Sequence, residues 1–277
     1  MRRKITILVV AAIAVIGLAR GHAWALGSET PAGGITGTIH DFTAGGHFGA
    51  TVAVGQCTFC HTPHGALSTS LLWNHTLSGQ TYSWDDTAGT MAGTPFPVFA
   101  DTAWKGPTAK CLSCHDGTVA VSSVNWFDSG HGGGFSGVGP HILGSATTHA
   151  SLQGLSNTGT AATLSGVHPV AMPYPYNGMP STYNGVTTGS NFIPGQWQSP
   201  PLGNVRLYMQ TGTNVTLGFN GAGYAPVAAA GLQGAAGIEC SSCHDVHNKL
   251  TKDGYLLVGL ATGTGSTYLC NMCHMKY

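Results

Sequence analysis

The sequence is short of charge. Of its 277 residues only 7% are Asp, Glu, Lys or Arg, ten acidic and ten basic, where an ordinary globular domain carries about 25%. There are no blocks of like charge, which excludes the highly charged, solvated kind of disordered chain. There is no basic stripe to neutralise phosphates, which excludes a nucleic-acid-binding surface. From Ser129 to Ile238 the one charged residue is Arg206. Beyond the N-terminal leader no apolar run reaches the length of about 20 residues that a bilayer span needs. Nor does any long segment keep a helical period. Glycine is abundant, at 42 positions, but without a three-residue repeat, and collagen is excluded.

The leader has its own pattern. Met1-Arg2-Arg3-Lys4 is positive, Ile5 to Ala19 is apolar, and Ala23-Trp24-Ala25 offers a small-x-small cleavage site. Residues 1–25 are therefore expected to be a cleaved signal peptide, with the mature chain starting at Leu26 and exported. That mature chain has six basic and ten acidic side chains, a net of −4. A surface so poor in charge is either a Gly/Ser/Thr/Asn face that water tolerates or one covered by other copies of the chain.

What is present is cysteine, in a single pattern. The eight cysteines fall as Cys57-Thr58-Phe59-Cys60-His61, Cys111-Leu112-Ser113-Cys114-His115, Cys240-Ser241-Ser242-Cys243-His244 and Cys270-Asn271-Met272-Cys273-His274. Each belongs to a C-x-x-C-H unit and none is left over. That unit attaches a c-type haem: two thiols one helical turn apart add across the vinyl groups, and the adjacent His comes under the iron. Zinc would combine the pairs into four-ligand sites, but 50, 125 and 26 residues separate successive cysteine pairs. The expected cofactors are four haem c groups. Cys57, Cys60, Cys111, Cys114, Cys240, Cys243, Cys270 and Cys273 are the attachment thiols, and His61, His115, His244 and His274 the proximal ligands.

A low-spin carrier needs a second axial ligand, usually His or Met. Nine histidines remain after the proximal four and His22 of the leader. His64 and His247 each follow a proximal His by three, so they point the same way as it does and are expected to serve a neighbouring haem. His168 precedes Pro169, which stiffens it. His75 follows Leu72-Trp73-Asn74, and His40 lies in a Gly/Thr-rich arm ahead of Asp41-Phe42. His131, His141 and His149 sit among glycines and read as surface residues, with His47 in reserve. Met272 and Met275 are badly placed to cross the last haem, so four bis-His irons are expected.

Along the chain, Thr118 to Phe127 is strand-like and Ser129 to Val167 reads as loop. His168 to Leu202 holds seven of the fourteen prolines and no long helix. Asn204 to Phe219 reads as a hairpin turning around Thr211 to Asn214. The expected architecture is a multihaem cytochrome c over residues 26–277 as one domain. It is mostly loop and coil wrapped round four haems, with short helices at the CxxCH motifs and one or two small β-hairpins. A Gly/Ser/Thr-rich, haem-free insert is expected at about 129–205.

The run from Cys57 through HTPH, the LWNH ending at His75, CLSCHDGTVA from Cys111, HPV from His168, CSSCHDVH from Cys240 and the terminal LCNMCH resemble the OmcE-type outer-surface tetrahaem cytochromes. They also resemble the broader doubled-CXXCH multihaem group. The resemblance spans nearly the whole mature chain. It implies haems in alternating parallel and T-shaped pairs, and subunits that polymerise into filaments in which a His of one copy can complete a haem of the next. It supports His64, His75, His168, His247 and His40 as distal ligands, five candidates for four places. An arm from Leu26 to His40 reaches up to about 50 Å when extended, so His40 is the expected bridging ligand.

The function these features point to is electron transfer without catalysis. Six-coordinate irons leave no position for a substrate, so the expected partners are other copies of the chain, redox proteins and extracellular acceptors, with no nucleic acid. A discrete periplasmic or outer-surface shuttle is the alternative. A multihaem reductase would need an open haem face with acid/base groups beside it, and no C-x-x-C-K variant occurs.

Overall fold

The computed structural model describes residues 30–43, 56–62, 66, 70–84, 89–119, 156–158, 161–164, 167–219, 221, 231–254 and 256–275. The leader, His47, His64, His131, His141, His149 and most of the strand expected over Thr118–Phe127 lie outside them.

Short strands organise the described chain. In the first sheet, β1 (Thr81–Ser83) pairs antiparallel with β2 (Phe99–Ala100), placing Tyr82 opposite Phe99. On its other side β1 pairs in parallel with β4 (Ala161–Thr163), which pairs antiparallel with β3 (Ser156–Thr158). The second sheet, entirely antiparallel, runs β5 (Met172–Pro173), β10 (Ala236–Ile238), β8 (Leu207–Thr211), β9 (Asn214–Phe219). The β8–β9 hairpin turns through Gly212, whose φ of 60° suits the first central position of a two-residue hairpin loop. The hairpin of β6 (Thr182–Tyr183) and β7 (Val186–Thr187) turns on Asn184-Gly185, both at positive φ. Asn-Gly is the preferred pair for such a turn.

Two α-helices are present among the described residues, α1 (Pro107–His115) and α2 (Cys240–Cys243). Pro107 starts α1 where its missing N–H costs nothing, and Gly117 at φ 74° follows its end. Ala109 and Leu112, three apart on one face, are buried among Tyr82, Trp84, Phe99, Trp104, Leu164, Tyr183 and Tyr208. This aromatic cluster is where α1 meets the sheets. A second cluster of Tyr174, Tyr176, Leu207, Leu232 and Ala236 lies against the second sheet. Gly237 is required there, since a Cβ on it would come within 2.3 Å of the Tyr183 ring.

The expected loop-and-coil wrap is thereby overturned. Two four-stranded sheets and a two-stranded one, with aromatic cores, hold the described chain. No group of three or more His, Cys, Asp or Glu gathers among the described residues as a metal centre for loops to wrap. Strands of two to six residues are too short to leave an alternation visible in sequence. They are stabilised by partners far along the chain, β1 by β4 and β5 by β10, so a Gly- and Pro-rich composition concealed them.

Candidate functional site

Each C-x-x-C-H unit folds as one helical turn. The His N–H donates to the first Cys carbonyl at 2.8 Å in His61–Cys57, 3.1 Å in His244–Cys240 and 2.9 Å in His274–Cys270; the remaining unit, Cys111 to His115, lies inside α1. That turn brings thiols three residues apart onto one side. All eight cysteines are free.

The units adjoin one another in chain order. Cys60 lies close enough to Cys114, and Cys270 to Cys243, to add to the burial that opposes ionisation of Cys114 and Cys243. The Cys111 and Cys240 thiols are hydrogen-bonded, which raises the first and lowers the second. Burial pushes the Cys60 and Cys243 thiols up to about 12, so they stay protonated at neutral pH. Cys57 and Cys270, in the first and last units, are exposed.

The histidines meet in pairs. His61 and His247 have ring centres 6.3 Å apart and planes within 14°, and His40 and His115 are 6.0 Å apart at 62°. A metal–nitrogen bond of about 2.0 Å plus roughly 1.1 Å to the ring centre puts two imidazoles on opposite sides of one iron about 6.2 Å apart. Both pairs match that spacing. His168 bears electrostatically on His274, whose pKa is lowered by burial first and by His168 second. Nδ1 is committed to a backbone carbonyl in His61 (Leu71, 2.5 Å), His75 (Thr76, 2.9 Å) and His168 (Pro169, 2.9 Å). An Nδ1–H so engaged leaves the Nε2 lone pair for a metal and fixes the ring. Burial, then the charges of His115, His244 and His247, hold His40 down at about 3, so it is neutral, as a ligand must be.

The donor set therefore fits haem: paired free thiols on a turn, a following imidazole, and a second imidazole at the right remove. An iron in a macrocycle takes only two protein ligands, so it needs no cluster of three. The Trp73 indole N–H is buried without an acceptor among the described residues, against the His61 ring, and a carboxylate-bearing group would satisfy it. The arm that carries His40 folds back, with Gly34 N–H donating to the Asn248 carbonyl at 3.0 Å, and lays the imidazole against His115 of its own chain. His75 is buried, and His64 lies outside the described residues.

Sequence reasoning passed over the acids. Asp245, directly after His244, is buried and accepts from the Lys249 and Leu250 N–H groups, both at 2.9 Å, and from Arg206 at 3.2 Å. Burial opposes its ionisation, but Arg206 and these donors hold the carboxyl below its ordinary range. So Arg206, the lone charge of the long neutral stretch, has a buried partner beside His244. Glu239, directly before Cys240, is buried too. The signal for both was a lone acid abutting a CxxCH unit in a chain that spends few charges.

No family model matches this chain and no curated protein is similar to it.

Proposed function

We propose that this chain binds four haems covalently and carries electrons along them, as the subunit of a polymeric conduit at or beyond the outer cell surface. The observation that carries the reading is the spacing of the imidazole pairs His61–His247 and His40–His115. Bound haem supplies one-electron exchange between ferric and ferrous iron, at the low potential that bis-His ligation favours. The chain's own residues do the rest. Four cysteine pairs tie the groups down in chain order, the Cys60–Cys114, Cys111–Cys240 and Cys243–Cys270 proximities keeping neighbours close. Carbonyls of Leu71, Thr76 and Pro169 orient imidazoles. Burial keeps His40 neutral. Two imidazoles per iron leave no place for a substrate, so the reading is of a carrier, not an enzyme.

Exposed Met91, Val98, Met179 and Ile193 on a surface poor in charge support contact with further copies. Among the described residues no helix is long and apolar enough to cross a membrane. Intact mass spectrometry of the exported protein is expected to give residues 26–277 plus four haems; three or fewer, or free thiols, overturns the haem reading. Electron microscopy of material shed from the cell is expected to reveal filaments. A protein that stays monomeric at high concentration leaves the discrete shuttle in their place.

A further inference from the structure

The two inner haem units are joined by one carboxyl group. Glu239 is 1% exposed and lies between the N-termini of α1 and α2. Its Oε2 accepts from the Thr108 N–H of α1 at 3.0 Å and, at the limit of a hydrogen bond, from the Trp104 indole at 3.5 Å. Its Oε1 accepts from the Tyr183 hydroxyl at 2.5 Å. On α2 it forms a capping box, its side chain receiving the Ser242 N–H while the Ser242 hydroxyl receives its own N–H, at 2.9 Å. Cys240 N–H donates to the Thr108 hydroxyl at 3.1 Å, closing the joint. Gly106 leaves it room, since a Cβ there would stand 2.4 Å from Oε1.

Three of these four donors, two backbone N–H groups and an indole, can only donate. That set suits an ionised carboxylate, which accepts and never gives. The 2.5 Å contact with Tyr183 has the length of a charge-assisted O–H···O⁻ bond. The N-terminus of α1 adds positive partial charge. Glu239 also bears electrostatically on the Cys111 and Cys240 thiols, the attachment points of the second and third haems.

We propose that Glu239 is the residue that sets the redox potentials of the inner haem pair: a buried negative charge, held by both haem-bearing helices, that favours the ferric state at these two haems over the outer ones. The proposal rests on the four-haem reading. Burial raises the Glu239 pKa, with Thr108, Tyr183 and Trp104 opposing it, so the test is made at alkaline pH, which favours the ionised form.

The experiment is a spectroelectrochemical titration of the full chain carrying its haems. The waves of the inner haems are assigned by their loss in the Cys111/Cys114→Ala and Cys240/Cys243→Ala variants. Glu239→Gln is expected to move the inner two potentials positive and leave the outer two in place. Glu239→Asp keeps the charge and loosens the packing, so it is expected to lower the melting temperature while keeping the inner potentials low. Four unmoved potentials in the Gln variant, or four that shift together, overturn the proposal. Should the Gln variant lose haem, the Asp variant decides: inner potentials that rise along with the loss of stability reduce Glu239 to a structural joint. A wild-type mass with fewer than four haems defeats the haem reading itself, which keeps the two failures apart.

Discussion

The inner and outer C-x-x-C-H units have the same sequence pattern and different surroundings. The second and third units are carried on α1 and α2, with Cys111 against Cys240 and Glu239 across both helix starts. The first and last are turns outside both α-helices. The first leans on a bridge between His61 and Trp73, and the last on one between Trp197 and His274. Their leading cysteines, Cys57 and Cys270, are exposed. In the proposed reading, a row of redox groups needs both kinds of setting. The middle must hold its spacing against thermal motion, whereas the ends must lie near the surface to exchange electrons with a partner or another copy.

The largest effect is expected where that row is cut. Cys111/Cys114→Ala and Cys270/Cys273→Ala should each remove one haem by mass. Only the inner variant should also stop fast electron equilibration between the remaining groups, read by stopped-flow reduction. Equal internal rates in the two variants would dissolve the distinction between inner and outer units.

Next comes packing. Leu207 is fully buried in the second sheet, and Leu207→Ala is expected to cost about 2–5 kcal/mol in denaturant unfolding. Met91→Ala, at a fully exposed side chain, should stay within about 0.5 kcal/mol. A similar loss at both positions would mean that covalent haems, rather than the sheets, hold the fold.

A smaller effect depends on pH. Asp101 lies beside α1, fully buried. Burial raises its pKa to about 8, the Asp116 carboxylate adding to this while the Ser78 N–H and Lys110 oppose it. Unfolded, an Asp titrates near about 3.9. Between these values the folded chain binds the extra proton, so stability falls as pH rises from about 4 through 8. Asp101→Asn is expected to flatten that part of the melting-temperature profile, and an unchanged slope would exclude Asp101 as its source.

The mildest is His247→Ala at the outer edge. His247 is exposed, so stability should shift by no more than about 0.5 kcal/mol, with all four haems still attached. Its pairing with His61 leads to the expectation of one high-spin ferric signal in electron paramagnetic resonance. Four low-spin signals would mean that another imidazole serves His61.

The candidate site was legible in the sequence because its pattern is local. Four C-x-x-C-H units need no tertiary contact to be recognised, since each thiol pair and its His lie within one turn. The β8–β9 hairpin was legible for the same reason, and the Asn184-Gly185 turn could have been. The sheets were not, because strands of a few residues become strands only when remote partners such as β4 or β10 supply the other half of their hydrogen bonds. Which imidazole faces which was equally out of reach. His40 precedes the first unit in the chain yet packs against His115 of the second, and His247 follows the third unit yet pairs with His61 of the first. Spacing along the chain sets which atoms can share a turn. Pairings across dozens of residues are decided by the packing of the whole fold, and so is the burial that keeps His40 neutral and encloses Glu239 between two helices.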